Sequence, residues 1–172
     1  MKHKPEHKTN VPELGKARLL LFDITQYIYQ RFVVFYKHMF SQFDLNSNSR
    51  RNLKTQICFE FSGQSLVMNE HSENCTIGRD AANSIWVTHS AATRTHAIIT
   101  FNQGVYVLEN LSVNGTYVIK KDKPPIFVLR DTLTLDGFGI IAAGFLPENE
   151  IEDTIFFATS ENWQSSQQLR LE

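Results

Sequence analysis

From Thr55 onward the chain is a succession of short apolar runs separated by turn residues, and no other feature limits its fold so tightly. The runs are ICFEF (57–61), SLVM (65–68), CTIG (75–78), SIWV (84–87), AIITF (97–101), VYVLEN (105–110), TYVI (116–119), IFVL (126–129), TLTL (132–135) and GIIAAGF (139–145). Gly63, Gly78, Asn102-Gln103-Gly104, Asn114-Gly115, Pro124-Pro125 and Asp136-Gly137 punctuate them. Many short strands at close spacing predict a mainly β domain, a sandwich or barrel and not a parallel α/β sheet. Ile98–Phe101 and Val105–Leu108 read as a hairpin closed by Asn102-Gln103-Gly104.

The residues before Thr55 read differently. Residues 1–11 are basic and polar and are expected to be a disordered tail. Pro12 suits a first helical position, with Glu13 near the helix N-terminus. Leu21, Ile24, Ile28, Phe32, Phe35, Met39 and Phe43 then recur at three- and four-residue steps, which is one face of a helix. Asp23, Gln26, Gln30, Lys37 and Ser41 fall largely on the other side. The spacing predicts a long amphipathic helical segment over 12–43 and a linker over 44–54. Asp23, Arg31 and Lys37 argue against a membrane span, each costing about 2.5–3.5 kcal/mol near the bilayer centre. Such a helix packs on a partner, on a second copy of itself, or on the rest of this chain. Contact with a membrane surface is not expected. At the other end, residues 147–172 form an acidic and polar extension, in which Ile155–Ala158 adds a strand or covers an edge.

Charge divides the chain in the same place. Residues 1–54 carry ten Lys/Arg and four Asp/Glu, a net +6; residues 55–172 carry seven and fourteen, a net −7. The formal net charge of the whole chain, −1, argues against a dedicated nucleic-acid binder. Two of the seven cations in the acidic part are Arg79 and Arg94. Cys58 and Cys75 each sit in a strand-like run, as reduced core thiols would, which suits a reducing, cytoplasmic compartment. The first residues lack the apolar stretch of a secretory signal.

No motif supplies enzymatic chemistry. The sequence has no Gly-x-Ser-x-Gly elbow, no phosphate loop ending in Gly-Lys-Ser/Thr and no His-Glu-x-x-His helix. His71, Cys75, His89 and His96 match no common zinc spacing, so neither a metal nor another cofactor is expected. An anion site is better supported. Gly78-Arg79 ends one strand, Thr93-Arg94 precedes another, and Asn114-Gly115-Thr116 forms a third turn. Each alone is ordinary surface. Placed at one end of a sandwich, they offer two guanidiniums, hydroxyls and an amide, which suit phosphate oxygens.

Ile77-Gly78-Arg79, Thr93-Arg94-Thr95-His96-Ala97 and Ser112-Val113-Asn114-Gly115-Thr116 together resemble the signature of forkhead-associated (FHA) domains. These are phosphothreonine-binding modules with the pattern Gly-Arg, Ser-x-x-His, Asn-Gly in that order. The resemblance covers about residues 55–146. It implies an FHA-like β-sandwich of about 10–11 short, mostly antiparallel strands. It also implies roles for individual residues. Arg79 binds the phosphate, the Thr93 hydroxyl donates to it, and Asn114 bonds the peptide backbone beside it. Arg94 stands where the phosphate or peptide is often contacted. Gly78 permits the turn before Arg79, His96 braces the loops from beneath, and Gly115 and Thr116 shape the Asn114 turn.

The chain departs from the family pattern in three places. Thr93 replaces a Ser, keeping the hydroxyl but restricting its rotamer. Val113 stands where a Ser or Thr is common, and the loss of one such hydrogen bond lowers affinity by up to about tenfold. Leu129-Arg130-Asp131-Thr132 replaces a Gly-Asp turn. The expected function is phosphothreonine-dependent protein–protein interaction, as a non-enzymatic adaptor in Ser/Thr kinase signalling, with self-association through the helix as a further expectation. A phosphate-independent assembly protein, using sandwich and helix as docking surfaces, is the alternative.

Overall fold

The computed structural model describes residues 56–120, 123–147 and 153–160, together with Gln26 and Gln30. Gln26 and Gln30 are helical and exposed. The rest of the helix expected over 12–43, the basic tail 1–11, the linker 44–54 and residues 161–172 lie outside the described residues.

Eleven strands form two sheets. They are β1 (Ile57–Phe61), β2 (Gln64–Met68), β3 (Cys75–Gly78), β4 (Ile85–Trp86), β5 (Ala97–Asn102), β6 (Val105–Asn110), β7 (Thr116–Lys120), β8 (Ile126–Val128), β9 (Thr132–Leu135), β10 (Phe138–Ala143) and β11 (Ile155–Thr159). One sheet runs β2-β1-β11-β10-β7-β8 and the other β4-β3-β5-β6-β9. Every pairing is antiparallel except the short β3–β4 contact.

Alternation drives the packing. In β6, Tyr106, Leu108 and Asn110 are buried while Val105 and Glu109 are exposed. The inward residues of both sheets, among them Ile57, Phe59, Ile77, Ile99, Leu108, Val118, Ile141 and Phe157, make one core. Both cysteines are free and buried. Burial pushes each thiol up to about 12, so both stay protonated and inert.

Tight turns set the register. Asn102 pairs with Val105, leaving Gln103 (φ 49) and Gly104 (φ 90) as a two-residue hairpin loop. Ser62 (φ 45) and Gly63 (φ 73) close β1–β2 in the same way. Two central residues at positive φ match the twist of the flanking strands.

One boundary needs correcting. The sandwich expected to end near residue 146 includes Ile155–Thr159, and β11 lies between β1 and β10 and not on an edge. Ile155, Phe156 and Phe157 are all buried, so the run shows no alternation, and such a run does not announce its partners.

Candidate functional site

The sheet ends gather three connections at one end of the sandwich. Gly78 closes β3, Ala97 opens β5, and Ile77 pairs with Ala97. Ala97 in turn pairs with Asn110, the last residue of β6. Thr116, the first residue of β7, follows the same turn into the facing sheet. The β3–β4 loop, the β4–β5 loop and the β6–β7 turn therefore share one rim.

Arg79 and the Thr93-Arg94 pair are joined through their backbones. The Arg79 amide donates to the Thr93 carbonyl at 2.9 Å, and the Asp80 amide to the Arg94 carbonyl at 3.1 Å. Asn83 crosses the same gap, its side-chain amide donating to the carbonyls of Asp80 and Arg94, each at 2.7 Å. Gly78 makes this approach possible: a Cβ there would collide with the Arg94 carbonyl. Both guanidiniums are exposed, and among the described residues neither has an ion-pair partner. The backbone thus fixes the points from which the two arginines branch while leaving their guanidiniums exposed.

His96 links this pair to the third turn. It is fully buried, and its Nδ1 accepts the Thr93 amide at 3.1 Å while Nε2–H donates to the Gly115 carbonyl at 2.9 Å. That pattern requires the neutral ring with its proton on Nε2. Burial pushes the imidazole pKa below its ordinary value, the Gly115 hydrogen bond opposing it in part, so the neutral form is the stable one. The backbone of His96 adds a bond from its amide to Ile77 and one to its carbonyl from Leu111.

The Asn114 turn is built from small polar groups. Gly115 takes φ 73, and a Cβ there would strike the Phe127 ring. The Asn114 amide donates to Ser112 Oγ at 3.0 Å. Beneath it, buried Thr116 donates to Asn110 Oδ1 at 2.8 Å, and Asn110 Nδ2 donates to the Ser112 carbonyl at 2.7 Å. The Asn114 side chain reaches across to the Ala91 carbonyl at 2.8 Å, tying this turn to the β4–β5 loop.

That loop is also held from behind. Thr88 donates to Asp153 at 2.7 Å, and His89 stacks on Phe145 with ring centroids 3.9 Å apart. Gly144, at φ 87, packs so closely on Ala91 that no Cβ fits. Arg79, Thr93, Arg94 and Asn114 therefore stand on one braced rim. Thr93 is turned inward: its hydroxyl donates to the Thr95 carbonyl at 2.8 Å. A ligand at this rim meets that hydroxyl as a donor only after the side chain rotates.

Four contributors carried no role in the sequence reading. Asn83 holds one loop to another, Asn110 and Ser112 brace the β6–β7 turn from within, and Trp86, half exposed, donates its indole N–H to the Arg79 carbonyl at 3.1 Å. A polar residue spaced a few positions from Gly-Arg or Asn-Gly was the available signal, but its partner is a backbone carbonyl that no side-chain pattern marks. Val113 points outward, 72% exposed. Among the described residues no three His, Cys, Asp or Glu groups are grouped to hold a metal. Cys75 lies in the core, His96 bridges two loops, His89 stacks on Phe145 and His71 is on the surface. No helix among the described residues is long and apolar enough to cross a membrane.

The family model of the FHA domain matches residues 75–134, from β3 to β9, and the chain carries an FHA domain. Solved FHA structures are similar to the sandwich. FHA-1 of Mycobacterium tuberculosis Rv1747 has 16% identity and a TM-score of 0.48, covering 62% of this chain and 97% of that one. The FHA domain of an Arabidopsis thaliana hypothetical protein has 17% identity and a TM-score of 0.46, covering 62% of this chain and 86% of its own. Mycobacterium tuberculosis EmbR, in complex with a low-affinity phosphopeptide, has 24% identity and a TM-score of 0.43, covering 60% of this chain and 24% of EmbR. No curated protein matches the sequence.

Proposed function

We propose that this domain binds phosphothreonine-containing segments of a partner protein, as a cytoplasmic adaptor in Ser/Thr kinase signalling and not as an enzyme. The observation that carries the reading is the backbone clasp that holds Arg79 beside Thr93-Arg94 with both guanidiniums exposed and without an ion-pair partner among the described residues. A phosphorylated threonine brings about −1.5 to −2 charges and three strong acceptor oxygens. Two exposed cations meet it without losing a pre-existing salt bridge among the described residues, and a charge-assisted bond to each contributes roughly 1.5–3 kcal/mol. Asn114, set across the rim, takes the peptide backbone beside the phosphate. His96, Gly78, Gly115 and Thr116 keep the two lips in register. The match of residues 75–134 to the FHA domain supports the same class of ligand.

Titration of one peptide in phosphothreonine, phosphoserine and unphosphorylated forms tests the reading. Binding is expected only for the phosphothreonine form. Equal affinity for all three rules it out.

A second reading has its own observation. Leu111, Val113, Phe127 and Leu129 are exposed apolar side chains around the β6–β7 and β8–β9 turns, and the Thr93 hydroxyl is already engaged. These features favour docking of an unmodified protein surface beside the rim. In that case the unphosphorylated peptide or partner binds as well as the phosphorylated one, and Val113→Ser weakens it.

A further inference from the structure

The six-stranded sheet has two faces, and its middle strands are buried on both. Its inner face meets the other sheet through Ile57, Phe59, Val118, Ile141, Ile155 and Phe157. Side chains alternate along a strand, so the residues between these point outward. They are Cys58, Ile119, Ile140, Ala142 and Phe156, and they stand outside the core cluster. Even so, none exposes more than 3% of its surface.

Register shows the extent of the covered area. Glu60 pairs with Phe156, Phe156 with Ile140, and Ile140 with Ile119, one row across β1, β11, β10 and β7. Opposed residues of paired strands share a face. On the same face, Val67 of β2 and Phe127 of β8 are 47% and 48% exposed. A face open to solvent does not bury its middle strands completely while its edge strands stay open. A cover therefore lies along the middle, where β1 to β7 span about 14 Å at ordinary strand spacing.

We propose that this cover is the chain's own segment 12–43, packed on the sheet as an amphipathic helix. Its apolar stripe, Leu21, Ile24, Ile28, Phe32, Phe35, Met39 and Phe43, is of the kind such a face requires. Gln26 and Gln30 are helical and exposed, and at 100° per residue they stand opposite that stripe. The following linker, residues 44–54, leads directly into β1, one of the covered strands. Extended at about 3.3 Å per residue, it is long enough to turn the helix back across the sheet. Charge agrees: residues 12–43 carry four Lys/Arg and two Asp/Glu, net +2, against net −7 for residues 55–172, and Glu60 stands in the covered row. The other segments outside the description fit less well. Residues 148–152 read ENEIE, with one apolar side chain, and residues 161–172 carry no helical apolar stripe.

The two free cysteines make the test, because Cys58 lies on the outer face and Cys75 in the core. The rate of labelling by a small aromatic disulfide reagent is measured on the full-length chain and on the double variant Ile28→Asp/Phe32→Asp. Both thiols of the unmodified chain are expected to react at least a hundredfold more slowly than in the unfolded chain, at a rate independent of protein concentration. The double variant is expected to release Cys58 at least tenfold and leave Cys75 protected. A Cys58 that reacts freely in the unmodified chain, or stays protected in the variant, overturns the proposal. Protection lost on dilution means that a second copy provides the cover, and overturns it too. A photo-crosslinker in place of Phe32 gives a second measurement that needs no destabilising change. Crosslinks to peptides from β10 or β11 of the same chain are expected; crosslinks only between chains, or elsewhere, count against it.

Discussion

The two ends of the sandwich treat positive charge in opposite ways. At the loop end, Arg79 and Arg94 are exposed, without an ion-pair partner among the described residues, and positioned through their backbones. At the other end, Lys120 of β7 is nearly buried, paired with Asp136 and pointed at the Thr134 carbonyl. A cation that joins two sheets must be partnered, because burial without a partner is costly. A cation kept for a ligand must not be. The chain also enters and leaves at the Lys120 end, where Gln56 and Ser160 exchange hydrogen bonds of 3.0 and 2.9 Å. Attached segments therefore begin far from the rim.

Substitutions at the two ends should separate cleanly. Arg79→Ala is expected to weaken phosphothreonine-peptide binding about thirtyfold, roughly 2 kcal/mol, while shifting urea stability by less than about 0.5 kcal/mol. Calorimetric titration alongside urea unfolding reads both; a stability loss matching the affinity loss would make Arg79 structural. Gly78→Ala should cost about 2 kcal/mol of stability, because the new methyl displaces the Arg94 carbonyl and with it the clasp. Lys120→Ala should cost about 1 kcal/mol of stability, the solvated Asp136 limiting the loss, and leave affinity unchanged. An affinity change in Lys120→Ala would break the division between the ends.

His96 predicts a pH effect on the loop end. Its pKa is held below the ordinary value of about 6.5 by burial. As pH falls below that value, the unfolded chain takes up a proton that the native ring refuses, so stability is full above it and declines beneath it. Urea titrations between pH 8 and 5 should show this decline, and His96→Gln should flatten that part of it. The smallest effect belongs to the β8–β9 turn, where Arg130 takes φ 51. Arg130→Gly should be stabilising by up to about 1 kcal/mol, by relief of the left-handed conformation against a greater loss of chain entropy. A destabilised Arg130→Gly would mean that the Arg130 side chain makes a compensating contact.

Much of this fold could be read from periodicity because most strands have one face in the core. Ten strand runs were recognisable between Ile57 and Phe145, and all hold strands in the structure. The exception is instructive: in Ile155–Thr159 the successive residues Ile155, Phe156 and Phe157 are all buried, so its apolar run has no alternation to reveal a place in the sheet. At the rim, Arg79, Thr93, Arg94, Asn114 and His96 stood out because their residue types and order matched a pattern. Asn83, Ser112 and Asn110 did not, because they act on backbone carbonyls and amides, which no side-chain pattern marks. Nor could the sequence show that the Thr93 hydroxyl points to Thr95, a rotamer set by local geometry.

The most direct test of the account follows backbone amide resonances of the isotope-labelled full chain during titration with a phosphothreonine peptide. Arg79, Thr93, Arg94 and Asn114 should shift together, saturably, while Gln56, Lys120 and Ser160 stay in place. The unphosphorylated peptide should move none of them. Shifts centred on the Lys120 end, or equal shifts with both peptides, would contradict the assignment of the loop end as a phosphate-reading site.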